Sequence, residues 1–366
     1  MISTPYYRVG NIQVDNQYKA WREIVTSRQA FRFVCYEQEY DQIDWTQEPT
    51  ESWNEILRNK CDLLRQRYRR LSLFYSAGRD SDHILQCFDR FGIPLDQLIL
   101  IETPLQPSKY FEFEHYIVPR AKLYQQHWPQ CKIKIIKLDK DLFERYYRDN
   151  WLESSGMTFT IGCFNPAQFS WLTEHAVRAE PNHGVIVGSE KPRIVLEDDK
   201  FYSVILDKSV EFFLSSLTNF ELFYYSPDYP KVHVKQTWMV LRHLEQHYNQ
   251  LTAEFLQDFC GNPFSDYYDE FCQSCGRGIA WNLNLDLQNG KNKYQGNGLD
   301  PKLVITTDYA NAHNWQSLHH YQQAFDFLAQ SMPQAFQQSN PRLGTKGIWG
   351  KKYFLKEYKP VSVDKI

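Results

Sequence analysis

The sequence predicts an α/β protein built on a mostly parallel sheet, and three observations carry that prediction. Short apolar runs at 71–75, 98–101, 132–138 and 184–187 alternate with segments of helical spacing. Each run stops at Gly, Pro or polar residues, the punctuation of strand ends. Residues 71–102 read strand, loop, helix, strand, the elements of a right-handed crossover between parallel strands. A chain of 366 residues suffices for one large domain with smaller attachments.

Taken in order, residues 1–52 read as an N-terminal extension with one strand around Phe31, Phe33 and Cys35, packed on the main domain. Ser52 and Glu55 make a capping box, and Trp53, Ile56, Leu57, Cys61, Leu64 and Tyr68 recur at helical spacing, so a helix spans 53–70. After the strand at 71–75 and the loop Ser76-Ala77-Gly78-Arg79-Asp80-Ser81, Ile84, Leu85, Phe88 and Phe91 continue as a helix that Gly92 ends. Residues 109–127 form an aromatic-rich helix with a kink at Pro119. Helices are also expected near 140–150 and from Asn165-Pro166. Ile194-Val195-Leu196 and Tyr202 to Leu206 form a hairpin turning at Asp198-Asp199. The main domain runs over 53–250. Residues 251–366 are expected to be mainly helical, with 314–330 the clearest helix and the Gly- and Asn-rich stretch 276–300 a loop or lid.

Composition narrows the function classes. Lys plus Arg total 41 against 44 Asp plus Glu, a net charge of −3, which leaves no bulk electrostatic footprint for nucleic acid. Arg65, Arg67, Arg69 and Arg70 on one helix, and Lys351 and Lys352 among Trp349, Tyr353 and Phe354, are plain solvated faces or a local nucleic-acid contact. No run of 18 apolar residues occurs, and the first residues lack the charged and apolar regions of a signal peptide. With a mean hydropathy of −0.58 and eight mostly isolated cysteines, the expectation is a soluble, cytoplasmic protein with reduced thiols and no membrane partner. Cys272-Gln273-Ser274-Cys275, with Cys260 twelve residues earlier, offers three thiolates toward one zinc ion, but a fourth ligand is missing locally and buried or free thiols are the commoner outcome of such a pattern.

The loop at 76–81 carries the functional signal. A strand that delivers a short Gly/Ser loop into a helix start points backbone N–H groups and the helix dipole at an anion. No G-x-x-x-x-G-K-[ST] occurs and no G-x-G-x-x-G follows a strand, which sets aside the P-loop and dinucleotide patterns. The plain alternative is an ordinary strand-to-helix turn capped by Ser76 or Asp80.

Ser76-Ala77-Gly78-Arg79-Asp80-Ser81 resembles the S-G-G-x-D-S signature of the PP-loop ATP pyrophosphatase superfamily, the adenine nucleotide alpha hydrolase-like proteins. Relatives of that superfamily include the nucleotide domains of asparagine and GMP synthetases, the queuosine-precursor synthase and phosphoadenylyl-sulfate reductases. The resemblance implies a doubly wound sheet and an enzyme that cleaves ATP to AMP and pyrophosphate, adenylating a carbonyl, carboxyl or amide oxygen of a small-molecule or nucleobase acceptor. It further implies that Ser76, Gly78 and Ser81 hold the β- and γ-phosphates, that Asp80 positions Mg²⁺, and that Arg79 fills the variable slot. Ile101-Glu102 would read adenine through the backbone. Gly188, Lys191 and Arg193 match a later loop, and Lys235 matches a late cation that neutralises pyrophosphate. Ala77 departs from the family glycine, which demands a negative φ there and leaves Gly78 as the tighter position. Two other readings follow from the same residues. One is an adenylyl-sulfate reductase-like sulfur-transfer enzyme using Cys272 or Cys275; the other is a non-catalytic nucleotide-binding or assembly protein with a decayed loop.

Overall fold

In the computed structural model, which describes residues 5–14, 17–102, 110, 112–137, 182–188, 192–207, 220–247, 252, 256 and 349–358, the chain begins with a small antiparallel sheet. Tyr7 and Val9 are buried on either side of exposed Arg8 in strand β1 (Tyr6–Val9). Gly10, at φ +56°, turns the chain into β2 (Ile12–Val14). Helix α1 (Gln17–Ser27) follows, then β3 (Phe31–Val34), which pairs on the other side of β1, and the single-turn helix α2 (Glu37–Tyr40). The extension therefore holds three strands where the sequence showed one. The two missed strands are four and three residues long, too short for alternation to register.

Helix α3 (Trp53–Arg67) opens with both halves of the Ser52/Glu55 capping box in place. It buries Ile56, Leu57, Cys61 and Leu64, and ends before Arg70, where β4 (Arg70–Phe74) begins. Helix α4 (Arg79–Arg90) follows, with Gly92 at φ +70° just past its end. Strand β5 (Gln97–Glu102) comes next. The helix expected over 109–127 is divided. A π-helical turn at Phe113–Ile117, closed by Val118 N–H to the Phe113 carbonyl, leads into α5 (Val118–His127). Pro119 has no N–H and its ring crowds the carbonyl four residues back, so the wide turn upstream takes the place of a kink. Strands β6 (Lys132–Lys137) and β7 (His183–Val187) complete this part.

Hairpin β8 (Arg193–Glu197) and β9 (Lys200–Val204) turns at Asp198 and Asp199, both at positive φ, as the sequence predicts. Strand β10 (Phe220–Leu222) and helix α6 (Lys231–His247) follow, and β11 (Tyr353–Glu357) is the last described element. β11 pairs antiparallel with β9, so a strand beyond residue 251 completes a sheet begun in the 53–250 region. The helices expected at 140–150, 165 onward and 314–330, and the loop at 276–300, lie outside the described residues.

Five strands form one all-parallel sheet in the order β10-β7-β4-β5-β6. β4 is central, and Leu71, Ser72 and Leu73 are all fully buried, as a strand covered on both faces requires. The chain leaves β4 toward β5 and β6 on one side and returns to β7 and β10 on the other. The order therefore reverses between β4 and β7, the position at which open α/β sheets commonly receive ligands. Among the described residues no helix is long and apolar enough to cross a membrane.

Candidate functional site

The loop that carries the sequence signal leaves central strand β4 at that reversal. Tyr75 N–H still bonds the Ile99 carbonyl at 3.0 Å, and the chain then turns through Ser76, Ala77 and Gly78 into α4. The Ser81 hydroxyl lies 3.2 Å from the Ser76 amide, 3.2 Å from the Ser76 hydroxyl and 3.2 Å from the Gly78 carbonyl, to which it donates. Gly78 N–H donates to Ser76 Oγ at 3.3 Å. The two serines thus lace the loop onto the first turn of the helix. Gly78 is the N-cap, without a side chain to cap it, so neither Ser76 nor Asp80 fills that role. The N-cap of α4 thus supplies its carbonyl to Asp82 N–H and Ser81 but no side-chain acceptor to the first-turn amides.

Two expectations about this loop are corrected. Ala77 does not keep a negative φ: it stands at φ +49° and is 3% exposed. Gly78 is the relaxed position, at φ −74° and ψ 164°, where any residue fits. The left-handed residue that glycine usually serves is therefore carried by alanine, at a cost of about 1–2 kcal/mol. A strained residue of this kind persists where its surroundings over-determine it, a pattern common at binding loops.

Parallel pairing brings Ser76–Ser81, Ile101-Glu102 and Gly188 to the same edge of the sheet. Ile101 and Glu102 end β5, half-buried and paired with Ile136 and Lys137. Gly188 directly follows β7, and a Cβ there would lie 3.1 Å from the Asp80 carbonyl carbon, its Cβ and Ile84 Cδ1. Glycine at 188 lets the β7 loop lie directly on the start of α4. Arg193 is buried at the start of β8. Lys235 is 9% exposed, and its ammonium is held by Glu48 at 2.8 Å and by the Pro49 carbonyl at 2.8 Å. Lys191, Cys260, Cys272 and Cys275 lie outside the described residues, while the Arg79 backbone alone is placed.

Several groups at this edge were not singled out from sequence. Asp82, 6% exposed at its side chain, accepts from the Tyr75 hydroxyl at 2.7 Å, Gln86 Nε2 at 2.7 Å and Arg120 Nε at 3.1 Å. Burial first, and the Asp82 charge second, push the Tyr75 phenol far above its ordinary pKa, so it remains a donor. Tyr224, which follows β10, places its hydroxyl 2.7 Å from His83 Nδ1 and 3.4 Å from the Asp80 carbonyl. His83 is buried beneath Trp53, whose ring lies parallel at 6.4 Å. The run Phe223-Tyr224-Tyr225 was the available signal, but nothing local in it names a partner 144 residues away.

Between α3 and β10, a buried ionic cluster anchors the segment bearing Tyr224. Lys60 is fully buried, 2.7 Å from Ser226 Oγ and 3.7 Å from Glu221. Glu221 also accepts from Arg67 at 2.8 Å and from the Tyr68 hydroxyl at 2.7 Å, and Arg67 reaches Asp228 as well. Burial lowers the Lys60 pKa while Glu221 and Asp228 oppose the shift. Arg65 is similarly taken by Asp96 and two backbone carbonyls, and Lys351 and Lys352 pair with Asp41 and Glu197. Arg65, Arg67, Lys351 and Lys352 are thus already engaged with carboxylates. Away from this edge, His233 on α6 is sealed among Tyr40, Trp45 and Tyr225, and burial lowers its pKa to about 3.

Cys35, Cys61, Cys87 and Cys131 are free and buried. Among the described residues no group of three or more His, Cys, Asp or Glu side chains is arranged to hold a metal ion. The sequence matches no protein-family model and no curated protein.

Proposed function

We propose that the chain is a nucleotide-binding protein of the doubly wound, PP-loop type, and within that class an ATP pyrophosphatase that adenylates an oxygen of its acceptor. The observation that carries the reading is the loop at 76–81, entering α4 from the central strand where the strand order reverses, with Gly188 lying against Asp80. That is where an α/β sheet receives a ligand, and an amide-rich helix start suits the polyphosphate of a nucleotide.

In this reading the α4 first-turn amides, with Ser76 and Ser81, bind the β- and γ-phosphates, and backbone at Ile101-Glu102 borders the adenine. An acceptor oxygen attacks the α-phosphorus, the bond to the bridging oxygen breaks, and pyrophosphate leaves with the electron pair. The protein's task is to neutralise that leaving charge. Mg²⁺, when bound, supplies part of it. With no three-ligand cluster described, Asp80 would share the ion with phosphate oxygens and water, as Mg²⁺ commonly requires. Lys235 already spends its charge on Glu48, so it assists only by exchanging that carboxylate for pyrophosphate. Arg193, buried at the start of β8, would add positive charge on the nucleotide side. The acceptor itself is a small molecule or a nucleobase.

The test is calorimetric titration of Mg-ATP into wild type and Asp80→Ala, with adenylyl sulfate as competitor. The expected result is wild-type binding that weakens at least tenfold in the variant and survives equimolar adenylyl sulfate. Displacement by adenylyl sulfate would favour sulfur transfer. Equal binding by both proteins would reduce the loop to a structural turn.

A further inference from the structure

Among the described residues, Arg120 is a cation at this edge with donors to spare. It sits in the first turn of α5, and its guanidinium is one-third exposed. Arg120 meets Asp82 through Nε at 3.1 Å and lies against the Tyr75 hydroxyl as well, and a guanidinium carries five N–H donors, more than these two contacts use. Tyr75 donates to the same Asp82 oxygen as Arg120, and Gln86 donates to the other, so the carboxylate works as a fixed bracket. Asp82 lies one residue past Ser81, inside the first turn of α4, and Tyr75 is the last residue before the loop. The bracket therefore ties the arginine to both ends of the 76–81 segment.

A second observation concerns how Arg120 reaches that position. The π-helical turn at Phe113–Ile117 inserts one residue and rotates everything after it by roughly 100° relative to an uninterrupted helix. After it, Ala121 and Tyr124 are buried while their neighbour Arg120 meets α4. A wide turn of poorer hydrogen-bond geometry is kept directly before a proline, and the first charged residue beyond it is the one that faces the loop.

We infer that Arg120 binds the polyphosphate of the nucleotide from the α5 side, opposite the β7 loop that carries Gly188. The inference rests on the ATP reading above. Two parallel N–H donors from a guanidinium match two oxygens of a phosphate, and a cation placed there meets charge that grows as pyrophosphate departs. Asp82 and Tyr75 are positioning residues: they aim the guanidinium without touching the ligand.

The experiment compares full-length wild type with Arg120→Ala, Arg120→Lys and Arg120→Gln, the last keeping a donor toward Asp82 if the alanine variant fails to fold. Mg-ATP, Mg-pyrophosphate and AMP are titrated calorimetrically, and melting is recorded for each protein. The expected result is at least a tenfold loss of affinity for ATP and pyrophosphate in the alanine and glutamine variants. AMP binding should stay within twofold, and lysine should recover part of the loss. Unchanged ATP and pyrophosphate affinity would overturn the assignment while leaving the ATP reading intact. A uniform loss across all three ligands, tracking a lowered melting temperature, would make Arg120 a tie between α4 and α5 and nothing more. Wild type that binds none of the three removes both readings together.

Discussion

Adding one methyl group at either of two glycines separates the observed loop geometry from the one the motif implies. At Gly188 an added Cβ would stand 3.1 Å from two Asp80 atoms and from Ile84 Cδ1, against about 3.5–4.0 Å for relaxed carbon contacts. Ile84 can rotate, but the Asp80 backbone belongs to the first turn of α4 and must move by a few tenths of an ångström. Overpacking of that kind costs about 1–3 kcal/mol. At Gly78 the backbone is already extended, and an added Cβ meets only Ser76 Oγ, at 3.2 Å, which can give by a few tenths of an ångström within its long contacts to Gly78 N–H and Ser81. The Gly78→Ala change should cost less than about 0.5 kcal/mol, since surface changes free of strain stay within that range. The assay is urea unfolding of the unliganded full-length variants. With an m-value of about 3 kcal/mol/M, Gly188→Ala lowers the midpoint by roughly 0.5 M and Gly78→Ala leaves it in place. The opposite order, with Gly78→Ala the damaging change, would refute this description of the loop and restore the tight position to Gly78.

Further predictions follow from buried charge and backbone conformation. Glu221 serves Lys60, Arg67 and Tyr68, so Glu221→Gln should cost about 3–5 kcal/mol and Lys60→Met less, because removing the shared anion strands two cations; urea midpoints in the reverse order would contradict the cluster. His233 is held neutral with a pKa near 3, against about 6.5 when unfolded. Only the unfolded chain takes up the proton as pH falls from 6.5, so stability drops by about 1.4 kcal/mol per unit, or about 2 kcal/mol by pH 5. His233→Phe should flatten that part of the stability profile, and identical wild-type and variant profiles between pH 7 and 5 would count against a sealed neutral ring. Asp199→Gly should stabilise the β8–β9 turn by about 0.5–1 kcal/mol, since Asp199 stands at φ +55°; a lowered melting temperature would show that the aspartate earns its place by another contact.

What could be read from the residues alone follows from the range of the forces involved. The Ser52/Glu55 box, the end of α4 at Gly92 and the hairpin turn at Asp198-Asp199 are local, decided by groups within a few residues, and all three stand where expected. The five-strand parallel sheet was foreshadowed by buried apolar runs, yet β10 was missed because Phe220, Glu221 and Leu222 make too short a run and interrupt it with a carboxylate. That carboxylate is buried only because Lys60 and Arg67 come to it from α3, more than 150 residues earlier. The candidate loop was legible as a strand-to-helix turn with anion-binding parts. Its backbone was not: the left-handed residue falls on Ala77, a choice made by the packing around it, and no propensity would nominate alanine there. Arg120 was invisible for the same reason, since only the side-by-side placement of α4 and α5 reveals it.

Strand β11 joins β9 with Tyr353 opposite Ser203, 150 residues apart along the chain. During synthesis at about 5–20 residues per second, β9 leaves the ribosome roughly 7–30 s before its partner exists. The parallel sheet can assemble in that interval, because β10 ends at Leu222, whereas the β8–β9 hairpin waits with one row of amides and carbonyls still lacking its eventual strand. Bringing the two ends together has a cost in chain entropy that grows slowly with their separation. The aromatic contacts that β11 brings, Tyr353 stacked on Trp45 at 4.6 Å and Phe354 against Tyr202 at 5.8 Å, work against that cost. The nascent chain thus passes through a stage with an open sheet edge, when a second nascent chain on the same message offers the same sequence as a competing strand.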